Sequence, residues 1–333
     1  MIDFAKARVL VTGGAGFIGS ALVWELNRRG CDRIVIADFL ETSEKWRNLA
    51  PLAFEDYLEA DDLLPRLGSG ALGRFDVVLH MGACSSTTEL DAMYLVRNNY
   101  QFTKDLAAWT LSSNGRFVYA SSAATYGDGT AGMRDDASLP YLHTLRPLNM
   151  YGYSKQMFDL YAAQRGILGK IAGVKFFNIF GPNEDHKGDM RSLVNKAYGQ
   201  IAETGEIRLF KSYRPEYADG KQKRDFLYVK DAVDMTLHLA ATDGANGLFN
   251  VGSGDANTWV DLANAVFAAL GKPANIKFID MPEDLRSRYQ YFTQADIGRV
   301  RESGYAAPIT PLADAVGDYV KNYLVPKTHL GDV

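Results

Sequence analysis

Short apolar runs alternate with amphipathic stretches through the first half of the chain. Four of these runs stop at a polar residue or a glycine: 8–12, 33–37, 76–80 and 116–120. Several are apolar without alternation, which is typical of parallel strands that are buried on both faces. Between the runs, apolar residues recur at helical spacing, as at Ile18, Leu22 and Leu26. This alternation predicts an α/β fold with a doubly wound parallel sheet.

The second half of the chain has a less regular pattern. Charges and glycines dominate residues 181–223, and we expect the stretch 193–202 to be loop-like. Thr258 and Asp261 have the spacing of a capping box, which predicts a helix that ends at Gly271. Apolar runs at 174–179 and 248–251 predict later strands of the main sheet. The last predicted helix spans 311–324.

Composition describes an ordinary globular chain. It has 333 residues, 47% hydrophobic and 23% charged, enough to bury a core without disulfide or metal support. The net charge of −4 argues against a general nucleic-acid binder. Two cysteines make no disulfide framework, and the first eight residues lack the apolar core of a signal peptide. No run is long enough to span a bilayer. We therefore expect a reduced, cytoplasmic protein without a membrane segment or a metal.

A glycine-rich turn lies between the first predicted strand and the first predicted helix. It has the pattern G-x-x-G-x-x-G, at Gly13, Gly16 and Gly19. Such a turn lets the backbone approach a pyrophosphate, and the helix N-terminus supplies free N–H groups. Asp38 ends the second strand, where a carboxylate can bind an adenosine ribose hydroxyl. The pattern predicts a dinucleotide cofactor. A 2′-phosphate stays open, because Asp38 would repel it while Lys45 and Arg47 could bind it.

A serine, a tyrosine and a lysine have a spacing suited to alcohol oxidation. Ser122 follows the fourth strand, and Tyr151 and Lys155 lie four residues apart, so on a helix they share one face. An ammonium beside a phenol lowers the phenol pKa, so we expect Tyr151 to act as a base. The same spacing recurs at 100/104, 217/221 and 323/327. Only Tyr151 and Lys155 follow a strand ending in Ser-Ser, which predicts hydride transfer to a nicotinamide.

With these motifs the chain resembles the extended short-chain dehydrogenase/reductase family, which includes nucleotide-sugar epimerases and dehydratases. The segments 224–229 and 249–252 are also typical of that family. Four separated strings narrow the resemblance to the epimerases of ADP-bound heptoses: 82–89, 120–127, 186–188 and 288–296. The resemblance implies a Rossmann-type sheet with a smaller C-terminal α/β substrate-binding lobe. The dinucleotide domain would span 1–177, with a return segment at about 225–256, and the lobe 178–224 and 257–333.

The resemblance also implies roles for individual residues. The catalytic residues would be Tyr151, Lys187, Ser122 and Lys155. The cofactor would be NADP, with NAD also able to serve, and would contact Gly13, Gly16, Phe17, Ile18, Gly19, Asp38, Phe39, Lys45, Gly82, Ala83, Cys84, Ser85, Asn98, Lys155, Ile179 and Lys187. The ADP-sugar would contact Asn178, Asp189, Lys196, Phe210, Lys211, Ser212, Tyr213, Arg224 and Tyr289. A homo-oligomer, such as a pentamer, is also implied.

The implied reaction inverts C6 of the heptose in the synthesis of the lipopolysaccharide inner core. The C6 hydrogen is not acidic, so its removal as hydride to give a transient ketone is the favoured route. Because the sugar would present two faces, two acid/base residues are expected, Tyr151 and Lys187. Which residue serves which half-reaction stays open.

The chain departs from the family pattern at four places. Ala60 replaces a lysine expected near the 2′-phosphate, which weakens NADP relative to NAD. Asp189 replaces a small hydroxyl residue, and Lys196 replaces a histidine. The segment 210–224 is about six residues longer than the resemblance suggests. These departures leave room for a related ADP-sugar.

Three alternative functions share part of the pattern. A 4,6-dehydratase needs a carboxylate beside the serine, where this chain has Ala123 and Ala124. A UDP-sugar 4-epimerase shares the core residues but is not expected to carry the strings at 186–188 and 288–296. A redox-sensing NAD(P)-binding regulator would not require the intact serine, tyrosine and lysine.

Overall fold

The computed structural model describes residues 1–286 and 289–332. Arg288, the first residue of the last family string, therefore lies outside the described residues. Within these ranges, no helix combines the length and the apolar character that crossing a membrane requires.

Parallel strands form the centre of the fold. In chain order the strands are β1 (Val9–Thr12), β2 (Ile34–Asp38), β3 (Asp56–Glu59), β4 (Val77–His80), β5 (Arg116–Ser122), β6 (Ala172–Phe176), β7 (Asn178–Phe180), β8 (Ile207–Phe210), β9 (Lys223–Tyr228), β10 (Gly247–Val251), β11 (Ala256–Thr258) and β12 (Ile276–Ile279). Within the described ranges, seven of them form one parallel sheet in the order β10-β6-β5-β4-β1-β2-β3. The doubly wound sheet is thus confirmed. The strand order reverses between β1 and β4, and a ligand crevice is expected outside the carboxyl ends there.

Two small sheets lie apart from the main one. In the described part of the chain, β11, β9 and β7 form a three-stranded sheet, and β12 pairs in parallel with β8. The proposed return segment is therefore divided between sheets, because β10 joins the main sheet and β9 does not. The run 174–179 also divides, since β6 ends at Phe176 and β7 begins at Asn178.

Helices cover both faces of the main sheet. They are α1 (Phe17–Arg28), α2 (Ala60–Gly68), α3 (Ala92–Leu95), α4 (Phe102–Ser112), α5 (Leu139–Leu142), α6 (Met150–Gln164), α7 (Leu193–Thr204), α8 (Val229–Ala241), α9 (Trp259–Ala269), α10 (Glu283–Arg286), α11 (Gly298–Glu302) and α12 (Leu312–Tyr319). A π-helical segment, Val96–Gln101, joins α3 to α4. The predicted capping box is confirmed, because Thr258 and Asp261 bond reciprocally at the start of α9.

The core alternates along each central strand. In β1, Val9 and Val11 pack into the cluster that contains α1 and α8, whereas Leu10 packs on the opposite face with α2 and α4. Full burial of one such side chain stabilises the fold by about 1.5–3 kcal/mol. This two-sided packing fixes the sheet whose carboxyl edge carries the site.

The expectation of a loop at 193–202 is wrong, because the structure has helix α7 there. The Ser192 side chain caps it by accepting from the backbone N–H of Asn195. Val194, Ala197 and Ile201 are buried at helical spacing. The charges and glycines around this segment made its short apolar stripe hard to recognise in the sequence. Tertiary packing of that stripe is enough to stabilise the helix.

Candidate active site

The glycine turn between β1 and α1 is built by close backbone approach. A Cβ at Gly13, whose φ is +67°, would lie 2.7 Å from the Cα of Gly82. A Cβ at Gly19 would lie 2.0 Å from the carbonyl oxygen of Gly13. Among the described residues no side chain caps α1 at Gly16. The first N–H groups of α1, at Phe17 and Ile18, are thus left for a ligand, and the turn fits the pyrophosphate of a dinucleotide.

Asp38 lies against this turn at the end of β2. Its Oδ2 accepts hydrogen bonds from the backbone N–H groups of Ala15 at 2.9 Å and Gly16 at 3.1 Å. Its Oδ1 accepts from the Phe39 N–H at 2.7 Å and the Lys45 ammonium at 3.0 Å. The two side chains predicted at the adenosine end, Asp38 and Lys45, are therefore brought together as an ion pair.

The segment after β4 forms the other wall of the turn. The Gly82 N–H donates to the Thr12 hydroxyl at 3.1 Å. Next to it lie the half-buried Ala83 and Cys84 and the exposed Ser85. Burial raises the pKa of the Cys84 thiol, which disfavours a nucleophilic role.

Asn99 is a residue that the sequence reasoning missed. Its side chain accepts from the Cys84 N–H at 2.9 Å and donates to the Cys84 carbonyl at 2.9 Å and to the Ser154 hydroxyl at 3.0 Å. It therefore ties the segment after β4 to α6. The predicted Asn98, half-buried beside it, donates to the Asn99 side chain. Their place in a π-helical segment is a signal, because such segments are frequent at functional sites.

The first turn of α6 presses against the turn that carries Ser122. Asn149 caps α6 by accepting from the Gly152 N–H at 2.8 Å. A Cβ at Gly152 would lie 2.7 Å from the Ala124 carbonyl oxygen, so this contact requires glycine. The close approach brings Tyr151 to Ser122, and the two hydroxyls form a hydrogen bond that lowers the phenol pKa.

The predicted lowering of the Tyr151 pKa is wrong in direction. Burial raises the pKa of Tyr151, and the hydrogen bond with Ser122 opposes that effect only in part. The Lys155 ammonium donates to the Ala120 carbonyl at 2.8 Å. Burial lowers the pKa of Lys155 itself to about 8, against the opposite effect of Asp159. Sequence spacing gave the shared helix face but not the desolvation that dominates both groups.

Lys187 is brought to the glycine turn, at the first residue of α1. It lies in a 3₁₀ turn, Asp185–Met190, and its ammonium lies 4.9 Å from the centre of the Phe17 ring. Burial lowers the pKa of Lys187, and the charge of Glu184 opposes this. Glu184 is buried and accepts from the Ser192 N–H at 2.5 Å and hydroxyl at 2.6 Å. Sequence reasoning missed Glu184, whose partner lies eight residues away.

The other residues of this turn have separate positions. His186 approaches the Asn48 side chain at 3.3 Å, and burial lowers its pKa to about 4. The exposed Asp189 offers its backbone carbonyl to the Lys196 ammonium at 2.5 Å. This contact joins the 3₁₀ turn to α7.

Arg224 lies in an aromatic cage in the smaller lobe. It is 5% exposed, and its guanidinium lies 5.1 Å from the ring centre of Tyr289 and 5.6 Å from that of Trp259. The indole N–H of Trp259 donates to the Tyr289 hydroxyl at 2.8 Å. Burial lowers the pKa of Arg224. A bidentate cation among aromatic rings suits a diphosphate or a planar base. Trp259 was missed because it is distant in sequence.

The predicted substrate segment 210–213 is anchored within the lobe. Lys211 and Tyr213 both bond the Asp280 carboxylate at 3.1 Å, and Ser212 accepts from the Arg214 N–H at 3.2 Å. The half-buried Phe210 ends β8. Asn178 and Ile179 lie on β7, where Asn178 accepts from the Thr293 hydroxyl at 3.4 Å. These contacts do not connect the segment to Ser122 directly.

Gln290 joins the lobe to the catalytic turn. Its side-chain amide donates to the Gly127 carbonyl, and its own carbonyl accepts from Arg224. Gly127 follows the turn that begins at Ser122. The described residues thus place Ser122 and the glycine turn at the carboxyl edge of the main sheet and Lys187 beside the glycine turn. Gln290 links the Arg224 cage to the turn that follows Ser122.

Residues 9–252 match the family described as the NAD dependent epimerase/dehydratase family, and the chain belongs to that family. A nicotinamide dinucleotide cofactor follows from this membership. The chain is 52% identical over 316 residues to ADP-L-glycero-D-manno-heptose-6-epimerase of Nitratidesulfovibrio vulgaris strain Hildenborough, covering 95% of this chain and 97% of the relative. It is 45% identical over 324 residues to the enzyme of that name from Fusobacterium nucleatum, covering 95% and 98%. The narrower resemblance is confirmed.

Solved structures agree with this family. Helicobacter pylori ADP-L-glycero-D-manno-heptose-6-epimerase matches with a TM-score of 0.80 and 25% identity, over 96% of this chain and 97% of that one. UDP-N-acetylglucosamine 4-epimerase from Methanobrevibacter ruminantium matches with a TM-score of 0.79 and 22% identity, over 96% and 99%. Fold alone therefore does not distinguish sugar C6 from sugar C4 chemistry.

Proposed function

We propose that the protein inverts C6 of ADP-D-glycero-D-manno-heptose, by transient oxidation to a 6-ketone, to give ADP-L-glycero-D-manno-heptose. The proposed substrate rests on the 52% identity, over 95% of the chain, to a relative named for this reaction. The chemistry is supported by two groups that can exchange a proton. Tyr151 lies on α6 beside Ser122, and Lys187 lies in the 3₁₀ turn beside Phe17.

A nicotinamide dinucleotide held by the glycine turn and Lys155 would supply the hydride acceptor for the C6 hydrogen and the hydride for its return to the opposite face of the carbonyl. Tyr151 moves the proton of the C6 hydroxyl at its phenol oxygen. Ser122 holds the same substrate oxygen by a hydrogen bond, as its contact with the phenol allows. The positive charge of Lys155 favours the phenolate in the assembled site.

Lys187 provides the second acid/base group. Burial lowers the pKa of its ammonium, so the neutral amine that can accept a proton becomes more accessible. Glu184 anchors the turn through Ser192 and keeps Lys187 beside Phe17. Two groups at separate positions suit a reaction in which C6 presents two faces in turn. The assignment of each group to a half-reaction is left open.

The ADP-sugar would be held by the smaller lobe. The Arg224 guanidinium in its aromatic cage suits the diphosphate, and Tyr289 adds a hydroxyl and a ring face. Asn178, Asp189 and Lys196 would contact the sugar or its phosphates. The segment 210–213 would close over the nucleotide end.

We propose NADP as the cofactor, with NAD also able to serve. Lys45 supports NADP, because it could contact a 2′-phosphate while remaining close to Asp38. Two features favour NAD instead: Ala60 stands where a lysine is expected, and the carboxylate of Asp38 would repel a 2′-phosphate. Titration of the cofactor-free protein with each dinucleotide tests this proposal, and tighter binding of NAD would contradict it.

The finer expectations are likewise proposals. A homo-oligomer and a role in lipopolysaccharide inner-core synthesis rest on the family resemblance, whereas action in the cytoplasm rests on the composition and the low cysteine count. The division into a dinucleotide domain and a substrate lobe also rests on the resemblance, with support from the separate small sheets.

A panel of sugar nucleotides tests the substrate. The purified holoenzyme is incubated with ADP-D-glycero-D-manno-heptose, UDP-glucose and UDP-N-acetylglucosamine, and the products are separated by chromatography. We expect interconversion of the ADP-heptose epimers alone. Conversion of a UDP-hexose at C4 with no change in the ADP-heptose would replace the proposal by a 4-epimerase.

A further inference from the structure

A buried ion pair lies behind the proposed catalytic residues. Asp159 and Lys175 are both 0% exposed, and the Asp159 Oδ2 lies 2.5 Å from the Lys175 Nζ. Asp159 also accepts from the hydroxyls of Tyr119 and Ser121, each at 2.8 Å. Lys175 donates to the Thr125 hydroxyl at 2.8 Å. Both carboxylate oxygens are therefore bonded, as a buried charge requires.

This network connects the elements that carry the chemistry. Asp159 belongs to α6, which also carries Tyr151 and Lys155. Tyr119 and Ser121 belong to β5, whose last residue is Ser122. Lys175 belongs to β6, and Thr125 to the turn after Ser122. The helix with the base and the strand with the serine are thus fixed to each other through one carboxylate.

The charge of Asp159 also acts on Lys155 and raises its pKa. The two residues are four apart on α6, so their side chains share one face. From β4, His80 is held neutral, since burial lowers its pKa to about 3. From the segment after β4, burial raises the pKa of the Cys84 thiol, which therefore stays uncharged. Among the described groups acting on Lys155, Asp159 is thus the anion that favours the ammonium. Lys175 on β6 is the ion-pair partner of that anion.

We propose that Asp159 and Lys175 are positioning residues that hold α6 on the catalytic strand and set the charge of the Lys155 ammonium between them. Asp159 favours the ammonium, and Lys175 weakens that effect because it partly neutralises the Asp159 carboxylate. The consequence for turnover rests on the proposed function, whereas the effect on Lys155 does not.

The test is an NMR titration of Lys155 in the holoenzyme, using lysine labelled with carbon-13 at Cε. The Lys155 resonance is identified by its loss in Lys155→Met. In Asp159→Asn, we expect the pKa of Lys155 to fall by about one pH unit or more, because an attractive charge is removed. In Lys175→Met, we expect the Lys155 pKa to rise, because the Asp159 carboxylate loses the cation that partly neutralises it. A residue with a merely structural role would not give shifts of opposite sign.

Two further variants keep the test decisive. Removing one member of a buried pair is strongly destabilising, so the double variant Asp159→Asn/Lys175→Met, which leaves no lone charge, is measured as well. Its Lys155 pKa is expected between those of the single variants. Asp318→Asn is the matched control, because it breaks the pair with Lys230 at 2.7 Å, between α8 and α12. It should leave the Lys155 titration unchanged.

Shifts of the same sign in both single variants, or no shift in any folded variant, would overturn the inference. The alkaline limb of the kcat–pH profile for epimerisation should move with the NMR value in each variant. If wild-type protein has no epimerase activity while the NMR shifts appear, the proposed function fails and the inference stands. If activity is present and the shifts are absent, the inference fails alone.

Discussion

Replacement of Lys155 by Met should stabilise the fold at neutral pH while it abolishes the proposed activity. The Lys155 side chain is 5% exposed, and burial lowers its pKa from 10.5 to about 8. In the unfolded chain the ammonium is hydrated. In the folded protein the ammonium loses this hydration, so its charged form destabilises the fold. A methionine of similar length has no charge to desolvate.

The magnitude follows from the pKa change. At 1.36 kcal/mol for each pH unit, the cost of keeping Lys155 charged is about 3 kcal/mol. This cost is complete below pH 8, and it disappears as the pH rises from 8 to 10.5, because the amine then becomes neutral in both states. The lost hydrogen bond to Ala120 offsets about 1.5–3 kcal/mol of the gain, but that loss does not follow the same pH dependence.

The assay is urea unfolding of the wild type and Lys155→Met between pH 7 and pH 11. The advantage of the variant, as a difference in the free energy of unfolding, should shrink by about 3 kcal/mol over this range. Lys230→Met is the matched control. Although burial opposes it, bonding to Asp318 and Tyr323 raises the pKa of Lys230. Its loss should therefore destabilise the protein at neutral pH.

A pH-independent difference between the wild type and Lys155→Met would refute this reasoning. So would a wild type that gains stability relative to the variant as the pH falls from 10 to 7. Either result would mean that Lys155 is not desolvated in the folded protein.

Further substitutions test the cofactor turn and the two bases. Gly19→Ala should weaken dinucleotide binding and lower the melting temperature, because its Cβ would lie 2.0 Å from the Gly13 carbonyl oxygen; unchanged binding would contradict this. Gly199→Ala, in open space on α7, should instead stabilise by about 0.5–1 kcal/mol in thermal unfolding. Tyr151→Phe should abolish epimerisation and retain the cofactor, so a fully active variant would remove Tyr151 as the base. Lys187→Met should lower kcat by about 100-fold or more, and a smaller loss would leave Lys187 as a binding residue only.

The sequence predicted the local features of the fold and of the site. The strand, glycine turn and helix around Gly13 and Gly19 depend on short-range periodicity and backbone freedom, which a single sequence displays. The capping box of Thr258 and Asp261 is equally local, and it is present. The helix on which Tyr151 and Lys155 were expected to share one face is present and spans Met150–Gln164.

Long-range polar contacts could not be predicted in this way. Asn99 reaches 15 residues back to Cys84, and Asp225 accepts from residues 28 to 70 positions away. Asp225 lies in the segment 224–229, which resembles the family. In the structure its carboxylate accepts from the backbone N–H groups of Ser253 and Gly254 and so anchors that turn. Such pairings depend on how the chain packs, so one sequence gives no spacing rule for them.

Desolvation was the second effect that the sequence alone could not predict. The spacing of Tyr151 and Lys155 indicated an ammonium that lowers the phenol pKa, whereas burial raises the pKa of Tyr151 and lowers that of Lys155. Burial depends on the whole fold, and here it outweighs the local charge. Ser122 is the neighbouring group that lowers the Tyr151 pKa, against the larger effect of burial.

The central claim is inversion of C6 by transient oxidation, and an isotope experiment tests it directly. The holoenzyme is incubated in D₂O with ADP-D-glycero-D-manno-heptose, and C6 of the product is examined by NMR. We predict conversion to the L-glycero epimer with hydrogen, not deuterium, at C6, because the hydride is returned without exchange with solvent. Deuterium at C6 of the product would contradict direct hydride return. No conversion by protein that retains its cofactor would contradict the proposed function itself.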